Sequence, residues 1–167
     1  RQGLTRVKVK TLTEVQKKYK KFFSKVLSKF KADMPGVVEK EPLPNHWLSI
    51  PTGFGSIHFE WLFRGHEPNK ILEIALHFES NDENFNQRLL DHFKSKEEIL
   101  RKEIASSLKF GNFGRRWRKI YVERIVGTLD MALNDDVVNW AVEMMKKFYI
   151  FFKEKGELEN AINAIKG

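Results

Sequence analysis

The chain has 167 residues, of which 41% are apolar, 31% charged and 13% aromatic, and it contains no cysteine. We interpret residues 1–10 as a basic linker or arm and residues 11–167 as a single domain, which is long enough for a self-sufficient core. The lack of cysteine excludes a disulfide framework and a thiolate metal site, so the expected compartment is the reducing cytoplasm. No apolar run approaches the roughly 18 residues of a membrane-spanning helix, so we expect no membrane partner.

The net charge of +8 is concentrated in two segments. Residues 1–31 contain eleven cations and one anion, and residues 109–124 contain six cations and one anion. The rest of the chain is acidic. Basic segments on a mildly acidic body bind a polyanion better than an evenly spread charge does. The pattern therefore favours a nucleic-acid partner.

A long helix is predicted first along the chain. Thr11 and Thr13 each begin a capping-box pattern, which marks a helix start. Apolar residues then recur at helical spacing up to Phe30, and Pro35-Gly36 ends the helix.

Three strands are predicted after this helix, at residues 46–50, 56–64 and 70–79. In the second strand, apolar side chains that begin with Ile57 and Phe59 alternate with polar side chains, so the two kinds face opposite ways. The connections between the strands are short, so the strands should be antiparallel neighbours.

The second half of the chain predicts a helix, two strands and a last helix. The helix begins at Asn81-Asp82 and breaks near Ser95, and strands follow at 107–113 and 117–125, joined by a glycine-bounded turn. Asn134-Asp135 begins the last helix. The order αβββαββα predicts an α+β fold, in which three helices back one face of a five-stranded, mostly antiparallel sheet. The other face is expected to be open to solvent or to a partner.

Several of these segments resemble one family. They are the Trp47 strand, the Gly53–Gly55 turn, the Glu73-Ile-Ala-Leu76 strand, the helix of Glu97-Glu98-Ile99, and the helix of Trp140, Met144 and Phe148. Together they resemble an uncharacterised prokaryotic domain, often found at the C-terminal end of proteins with restriction-endonuclease-like segments. The resemblance covers most of residues 12–155. It implies an accessory domain of a nuclease or defence protein, with the basic start as a linker to an upstream domain, and it assigns no functional residue.

Two known folds have a similar element order. One is the secretion-chaperone fold, whose members dimerise and bind extended protein segments. The other is the core of restriction-type nucleases, which needs an acidic residue on the second strand and Glu-x-Lys on the third. Glu60 and Glu73 fit that requirement, but Ala75 stands where the lysine belongs. We therefore predict a degenerate relative rather than a working nuclease, and we assign no catalytic residue.

A metal site is an alternative to the expectation that no cofactor binds. If the second and third strands form a hairpin, His58 and His77 lie opposite or diagonal on the outer face, with Glu60 and Glu73 nearby. Imidazole and carboxylate ligands at that spacing suit zinc or manganese. The competing interpretation is that the outer face of the sheet is simply polar.

A nucleic-acid interface is predicted around residues 109–124. If Ile120 and Val122 point into the core, the aromatic residues that alternate with them lie on the open face, flanked by cations, as in proteins that bind single strands. The competing interpretation is that these aromatic residues cover strand or helix edges, while the arginines are solvated or paired. The predicted nucleic-acid-binding residues are Lys17, Lys21, Lys25, Arg115, Arg116, Trp117, Lys119 and Tyr121. We expect the members of this set on the first helix and on the hairpin to lie on one flank.

The sequence thus predicts a non-catalytic binding module, associated with nucleic acid within a prokaryotic nuclease or defence protein. The alternatives are a chaperone-like protein-binding dimer and a degenerate or active restriction-type nuclease. The partners considered are nucleic acid, a protein partner and a covalently linked upstream domain, and the chain is a monomer or a homodimer. Salt dependence separates the first two functions, because phosphate contacts release counterions.

Overall fold

A computed structural model describes residues 11–167, so the predicted basic arm at residues 1–10 lies outside the described residues. The elements in chain order are α1 (Glu14–Asp33), β1 (Trp47–Pro51), β2 (Ile57–Arg64), β3 (Lys70–Phe78), α2 (Glu83–Lys94), α3 (Glu97–Glu103), β4 (Lys109–Phe113), β5 (Trp117–Gly127), α4 (Leu129–Ala132), α5 (Asp135–Tyr149), a π-helical segment (Ile150–Glu154) and α6 (Glu157–Lys166).

The α+β fold and the predicted element order are confirmed. The predicted second helix divides into α2 and α3 at Ser95, near the expected break. The last predicted helix is followed by a π-helical segment and by α6, a ten-residue helix. Within residues 11–167, no helix is both long and apolar enough to cross a bilayer.

The five strands form one antiparallel sheet in the order β1-β2-β3-β5-β4. β5 pairs with β3 and with β4, so it lies inside the sheet, and β1 and β4 are the edge strands. In the β2–β3 hairpin, His58 is directly opposite His77. On β3 and β5, His77 is opposite Lys119 and Glu73 is opposite Glu123.

The capping box that begins α1 is built by Thr13 and Gln16. The Thr13 hydroxyl accepts the Gln16 N–H at 3.1 Å, and the Gln16 side chain accepts the Thr13 N–H at 2.9 Å. Both bonds satisfy N–H groups that have no partner inside the helix. Of the two boxes that the sequence offers, α1 therefore uses the second.

The hydrophobic core lies between the helices and one face of the sheet, which we call the inner face. Phe22 and Phe30 of α1 place their rings 4.8 and 5.4 Å from Phe63 and Trp61 of β2. Trp61 is fully buried, and its indole N–H donates to the Ala141 carbonyl of α5 at 3.0 Å. Because these side chains alternate along each strand, the inner face excludes the polar residues of β2 and β3.

The opposite face of the sheet, which we call the outer face, is not open at its centre. Glu73, Ala75 and His77 of β3 are buried on this face, although the helices of the described residues pack on the inner one. The Phe113 ring lies 4.4 Å from the His77 ring, and the Lys119 ammonium reaches Glu73 at 2.7 Å. Long side chains from the neighbouring strands therefore close the middle of this face, whereas the prediction left it open.

Candidate functional site

The lysines of α1 lie on the helical side of the sheet. Lys17 pairs with Glu14 at 3.1 Å, and the Lys25 ammonium donates to the Leu133 carbonyl at 3.1 Å. Lys21 is exposed to solvent. Of the three predicted residues of α1, Lys17 and Lys25 are therefore engaged within the protein, whereas Lys21 faces solvent.

The β4–β5 hairpin carries an exposed aromatic ring beside two cations. Trp117 is 39% exposed, and the exposed Arg115 and Arg116 precede it in the turn. Neither arginine has an acidic partner among the side chains that the structure describes. With Asn81 and Gly114, these three residues line a surface cleft, which we call the hairpin cleft.

Gly114 shapes this cleft through its backbone. Its φ of 58° lies in the left-handed region, and a Cβ at this position would stand 3.5 Å from the Trp117 ring. Because glycine adopts this conformation without strain, the turn can bring the indole against its own backbone. The indole is thereby held at the rim of the cleft.

Lys119 and Tyr121 lie on the outer face, but they are engaged within the protein. The Lys119 ammonium bonds to Glu73 at 2.7 Å and lies 4.2 Å from the centre of the Tyr121 ring. Gly111 of β4 allows the Tyr121 ring to come close, at 3.3 Å from the position of a Cβ. Lys119 thus links β5 to Glu73 of β3, and Tyr121 packs against Gly111 of β4, beside the hairpin cleft.

The expected convergence of the two basic segments is wrong. α1 packs on the inner face, whereas Trp117 and Lys119 lie on the outer face. The Tyr19 ring of α1 lies under Lys70, at the start of β3, while Arg118 is opposite Phe78 at its end. At ~3.3 Å per residue, these ends of β3 are about 26 Å apart. The predicted nucleic-acid-binding residues thus form two separate surfaces.

Asn86 of α2, which the sequence analysis did not single out, anchors the hairpin. It is fully buried, and its amide donates to the carbonyls of Arg116 and Ser80 at 3.0 and 2.9 Å. Its side-chain oxygen accepts the Ser80 N–H at 3.1 Å. The position of this asparagine on the apolar face of a helix was the signal in the sequence for such a role. A buried amide needs hydrogen-bond partners within the protein.

A cluster of two histidines and two glutamates also lies on the outer face. The Phe113 ring stands between this cluster and Trp117 of the hairpin cleft. The rings of His58 and His77 are 5.2 Å apart. Glu60 spans both, with one oxygen 3.5 Å from His58 Nε2 and the other 3.6 Å from His77 Nδ1. Of the four predicted metal ligands, the structure therefore brings these three together.

Glu79, the residue after β3, completes this cluster and was not among the predicted ligands. Its oxygens lie 3.2 Å from His58 Nδ1 and 4.0 Å from His77 Nδ1. The two-residue period of a strand places Glu79 on the same face as His77. This alternation could have identified Glu79 as a candidate ligand from the sequence.

Glu73, the fourth predicted ligand, is bound by cations instead. Lys119 reaches one of its oxygens at 2.7 Å, and Arg64 Nε reaches the same oxygen at 3.3 Å. Burial acts to raise the pKa of Glu73, but the nearby His77 ring and the Lys119 ammonium outweigh it, so this pKa lies below its ordinary value of 4.5. Glu73 is thus a charged, internal partner of Lys119.

Fold and site together define an α+β domain with a basic aromatic hairpin and a histidine–carboxylate cluster on one sheet face. Residues 18–155 match the family described as "Domain of unknown function (DUF4268)", and the chain therefore belongs to this family. The expectation of an uncharacterised domain family is confirmed. No curated protein matches the chain, and no solved structure matches it.

Proposed function

We propose that this domain binds single-stranded nucleic acid at the hairpin cleft, as a non-catalytic module. The observation that carries the proposal is the exposed indole of Trp117 beside Arg115 and Arg116, two arginines without an acidic partner in the described part of the chain. Bases stack on exposed aromatic rings in proteins that bind single strands, and each stacked base contributes about 1–3 kcal/mol.

The chemistry of the hairpin cleft fits a phosphate backbone as well as a base. Arg115 and Arg116 occupy the turn itself, where their guanidinium groups are free to form bidentate bonds with phosphate oxygens. Asn81 lines the same cleft and adds a neutral polar side chain. A nucleotide that stacks on the indole would thus have its phosphate near the two guanidinium groups.

A rigid platform is a further requirement, because ordering a mobile loop would cost binding free energy. The buried Asn86 amide holds the Arg116 carbonyl at 3.0 Å. Arg118 is buried on the inner face, where it bonds to Gln87 at 2.7 Å and to Glu83 at 3.0 Å. The hairpin is therefore attached to α2 on both sides of Trp117.

The proposal is tested by fluorescence anisotropy with a labelled single strand of about 12 nucleotides and its duplex, at about 50 mM and about 200 mM salt. We expect Trp117→Ala to weaken binding of the single strand by about 5- to 150-fold, the equivalent of one stacked base. Arg115→Ala/Arg116→Ala should lower the salt slope by about 1.4, since each phosphate contact contributes about 0.7.

Lys94→Ala/Lys102→Ala is the matched control, because both lysines are exposed and lie outside the hairpin. Their replacement removes two positive charges, as Arg115→Ala/Arg116→Ala does. We expect this pair to leave the salt slope close to that of the unmodified protein. Absence of binding at the lower salt concentration, or an equal loss in the control, would contradict the proposal.

The same titration separates the two alternatives that the sequence analysis left. A chaperone-like dimer would bind unfolded protein with little dependence on salt and would not bind the oligonucleotide. A restriction-type nuclease would shorten the oligonucleotide in the presence of Mg²⁺, and this cleavage would disappear in Glu60→Ala and Glu73→Ala. Both remain predictions.

A further inference from the structure

We propose that His58, His77 and Glu79 form a binding site for a divalent transition-metal ion of the zinc class. One ligand atom from each of these three residues lies within 4.8 Å of the others. Zinc binds imidazole nitrogens and carboxylate oxygens at about 2.0–2.2 Å, so tetrahedral ligand atoms are about 3.3–3.6 Å apart. For zinc to bind, side-chain rotations would have to bring the three atoms to that separation.

An independent observation comes from the buried imidazole of His77. The residue is 3% exposed, and neither of its ring nitrogens has a hydrogen-bond partner among residues 11–167. A buried polar group without a partner costs free energy, so native proteins rarely retain one without a reason. His77 Nδ1 faces Glu79 at 4.0 Å, so a metal ion bound between His77 and Glu79 would supply a partner for this nitrogen.

Each imidazole also has a carboxylate within about 4 Å of its other nitrogen. If His58 binds through Nδ1, its Nε2 faces Glu60 at 3.5 Å. If His77 binds through Nδ1, its Nε2 faces Glu73 at 4.0 Å. Histidine ligands of metals usually have such a carboxylate or carbonyl on the second nitrogen, which fixes the orientation of the ring and raises its basicity. Glu60 and Glu73 thus act as positioning residues rather than as the ligands of the original prediction.

The charge of the cluster favours a cation. Glu60 and Glu79 have no lysine or arginine partner in the described part of the chain, and their ion-pair contacts there are to the two histidines. The cysteine-free sequence leaves imidazole and carboxylate as the ligands, a set that suits zinc and other divalent transition metals. Magnesium prefers oxygen ligands alone and should bind less well.

A surface cleft gives the ion an entry path. It is lined by His58, Glu60 and Glu79 together with Trp47 and Ser49 of the edge strand β1. His77 forms the buried floor of the site, and the other ligands stand at its mouth. With three protein ligands, the fourth position of a tetrahedral ion would face this cleft and hold water or an exogenous ligand.

The test is calorimetric titration of Zn²⁺ into the full chain after treatment with a chelator. We expect a stoichiometry of one ion per chain and a rise in melting temperature with zinc concentration. Co²⁺ should bind at the same site and give the visible absorption of a tetrahedral complex, whereas Mg²⁺ should give neither signal.

His58→Gln and Glu79→Gln are the decisive variants, because both side chains are half-buried and their replacement should leave the core intact. We expect each to weaken zinc binding by at least about tenfold. His66→Gln and Glu159→Gln are the matched controls, since these residues are exposed and lie outside the cluster. Circular dichroism and the melting temperature without zinc check that each variant is folded.

Three results would overturn the proposal. They are the absence of zinc binding by the unmodified protein, binding that His58→Gln and Glu79→Gln leave unchanged, and an equal loss in the controls. Because this readout requires no nucleic acid, it is independent of the hairpin proposal.

Discussion

The ion pair of Lys119 and Glu73 illustrates how burial decides what a charge contributes. Its N···O distance of 2.7 Å equals that of the pair formed by Lys109 and Glu123 on the same hairpin. The side chains of the first pair are 13% and 0% exposed, and those of the second are 52% and 22% exposed. Water screens the second pair, whereas the first cannot lose one partner without leaving a charge buried in the protein.

We therefore expect Lys119→Met to lower the free energy of unfolding by on the order of 3 kcal/mol, because it leaves the Glu73 carboxylate buried with Arg64 as its remaining lysine or arginine partner in the described part of the chain. Lys109→Met is the control and should cost at most about 1 kcal/mol. Adding Glu73→Gln to Lys119→Met should recover much of the loss. Urea denaturation in the presence of a chelator measures all three, and equal costs for the two lysines would contradict the argument.

The low pKa of Glu73 makes a further prediction about acid stability. Because this pKa is lower in the folded than in the unfolded chain, the folded protein binds fewer protons on this group. The stabilisation is fully present above pH 4.5 and is lost as the pH falls through the folded value. Glu73→Gln should therefore flatten the loss of stability below pH 4.5, measured by urea midpoints at several pH values. If Glu73→Gln left the loss of stability below pH 4.5 unchanged, other carboxylates would be responsible for most of that loss.

At the scale of the element, the β4–β5 hairpin depends on contacts with α2. The sequence predicts the hairpin from its glycine-bounded turn and its alternating strand, but hydrogen bonds to Asn86 hold the turn in place. The bond to the Arg116 carbonyl joins residues 30 apart in sequence, whereas the bond to the Ser80 carbonyl spans six residues. No local pattern specifies which carbonyl the amide will contact.

Asn86→Ala should lower the free energy of unfolding by about 2–3 kcal/mol, because it leaves the Ser80 and Arg116 carbonyls without a partner. Asn84→Ala, on the exposed side of the same helix, should change it by less than about 0.5 kcal/mol. If the hairpin cleft binds nucleic acid, Asn86→Ala should also weaken binding at a temperature where the variant is folded. If Asn86→Ala were destabilised but bound nucleic acid as the unmodified protein does, binding would not depend on the bond from Asn86 to the Arg116 carbonyl.

At the scale of the whole molecule, the sheet separates the two basic surfaces. α1 lies against the inner face near the start of β3, and the hairpin cleft lies on the outer side near its end. If the hairpin cleft binds a short oligonucleotide, we therefore expect that oligonucleotide not to contact Lys17 or Lys21. If the hairpin cleft binds nucleic acid, the lysines of α1 and the arginines of the cleft should therefore act on it as two independent groups.

Lys17→Ala/Lys21→Ala should change the affinity for a single strand of about six nucleotides by less than about twofold, and its effect should add to that of Arg115→Ala/Arg116→Ala. With a strand of about 30 nucleotides, which is long enough to pass around the molecule, the α1 lysines should contribute. Anisotropy titrations of both lengths test this. A non-additive loss on the short strand would mean that the two surfaces bind it together.

The sequence by itself determined the element order and the faces of the strands. The capping residues, the turn glycines and the two-residue alternation are local properties, because backbone hydrogen bonds and side-chain direction depend on near neighbours. The same locality predicted His58 opposite or diagonal to His77, since a short hairpin connection limits which residues can pair, and the structure places the two directly opposite.

Only the tertiary structure decided which side chains meet across β3 and β5, because the crossover through α2 and α3 separates these strands by about 40 residues. It thereby paired Glu73 with Lys119, and it separated the α1 lysines, on the inner face, from the exposed indole of Trp117 on the outer face. A charge pattern records how many cations a segment carries, but the path of the backbone decides where they lie in space. The histidine cluster was accessible to sequence reasoning for the opposite reason, since its members belong to one hairpin and the residue that follows it.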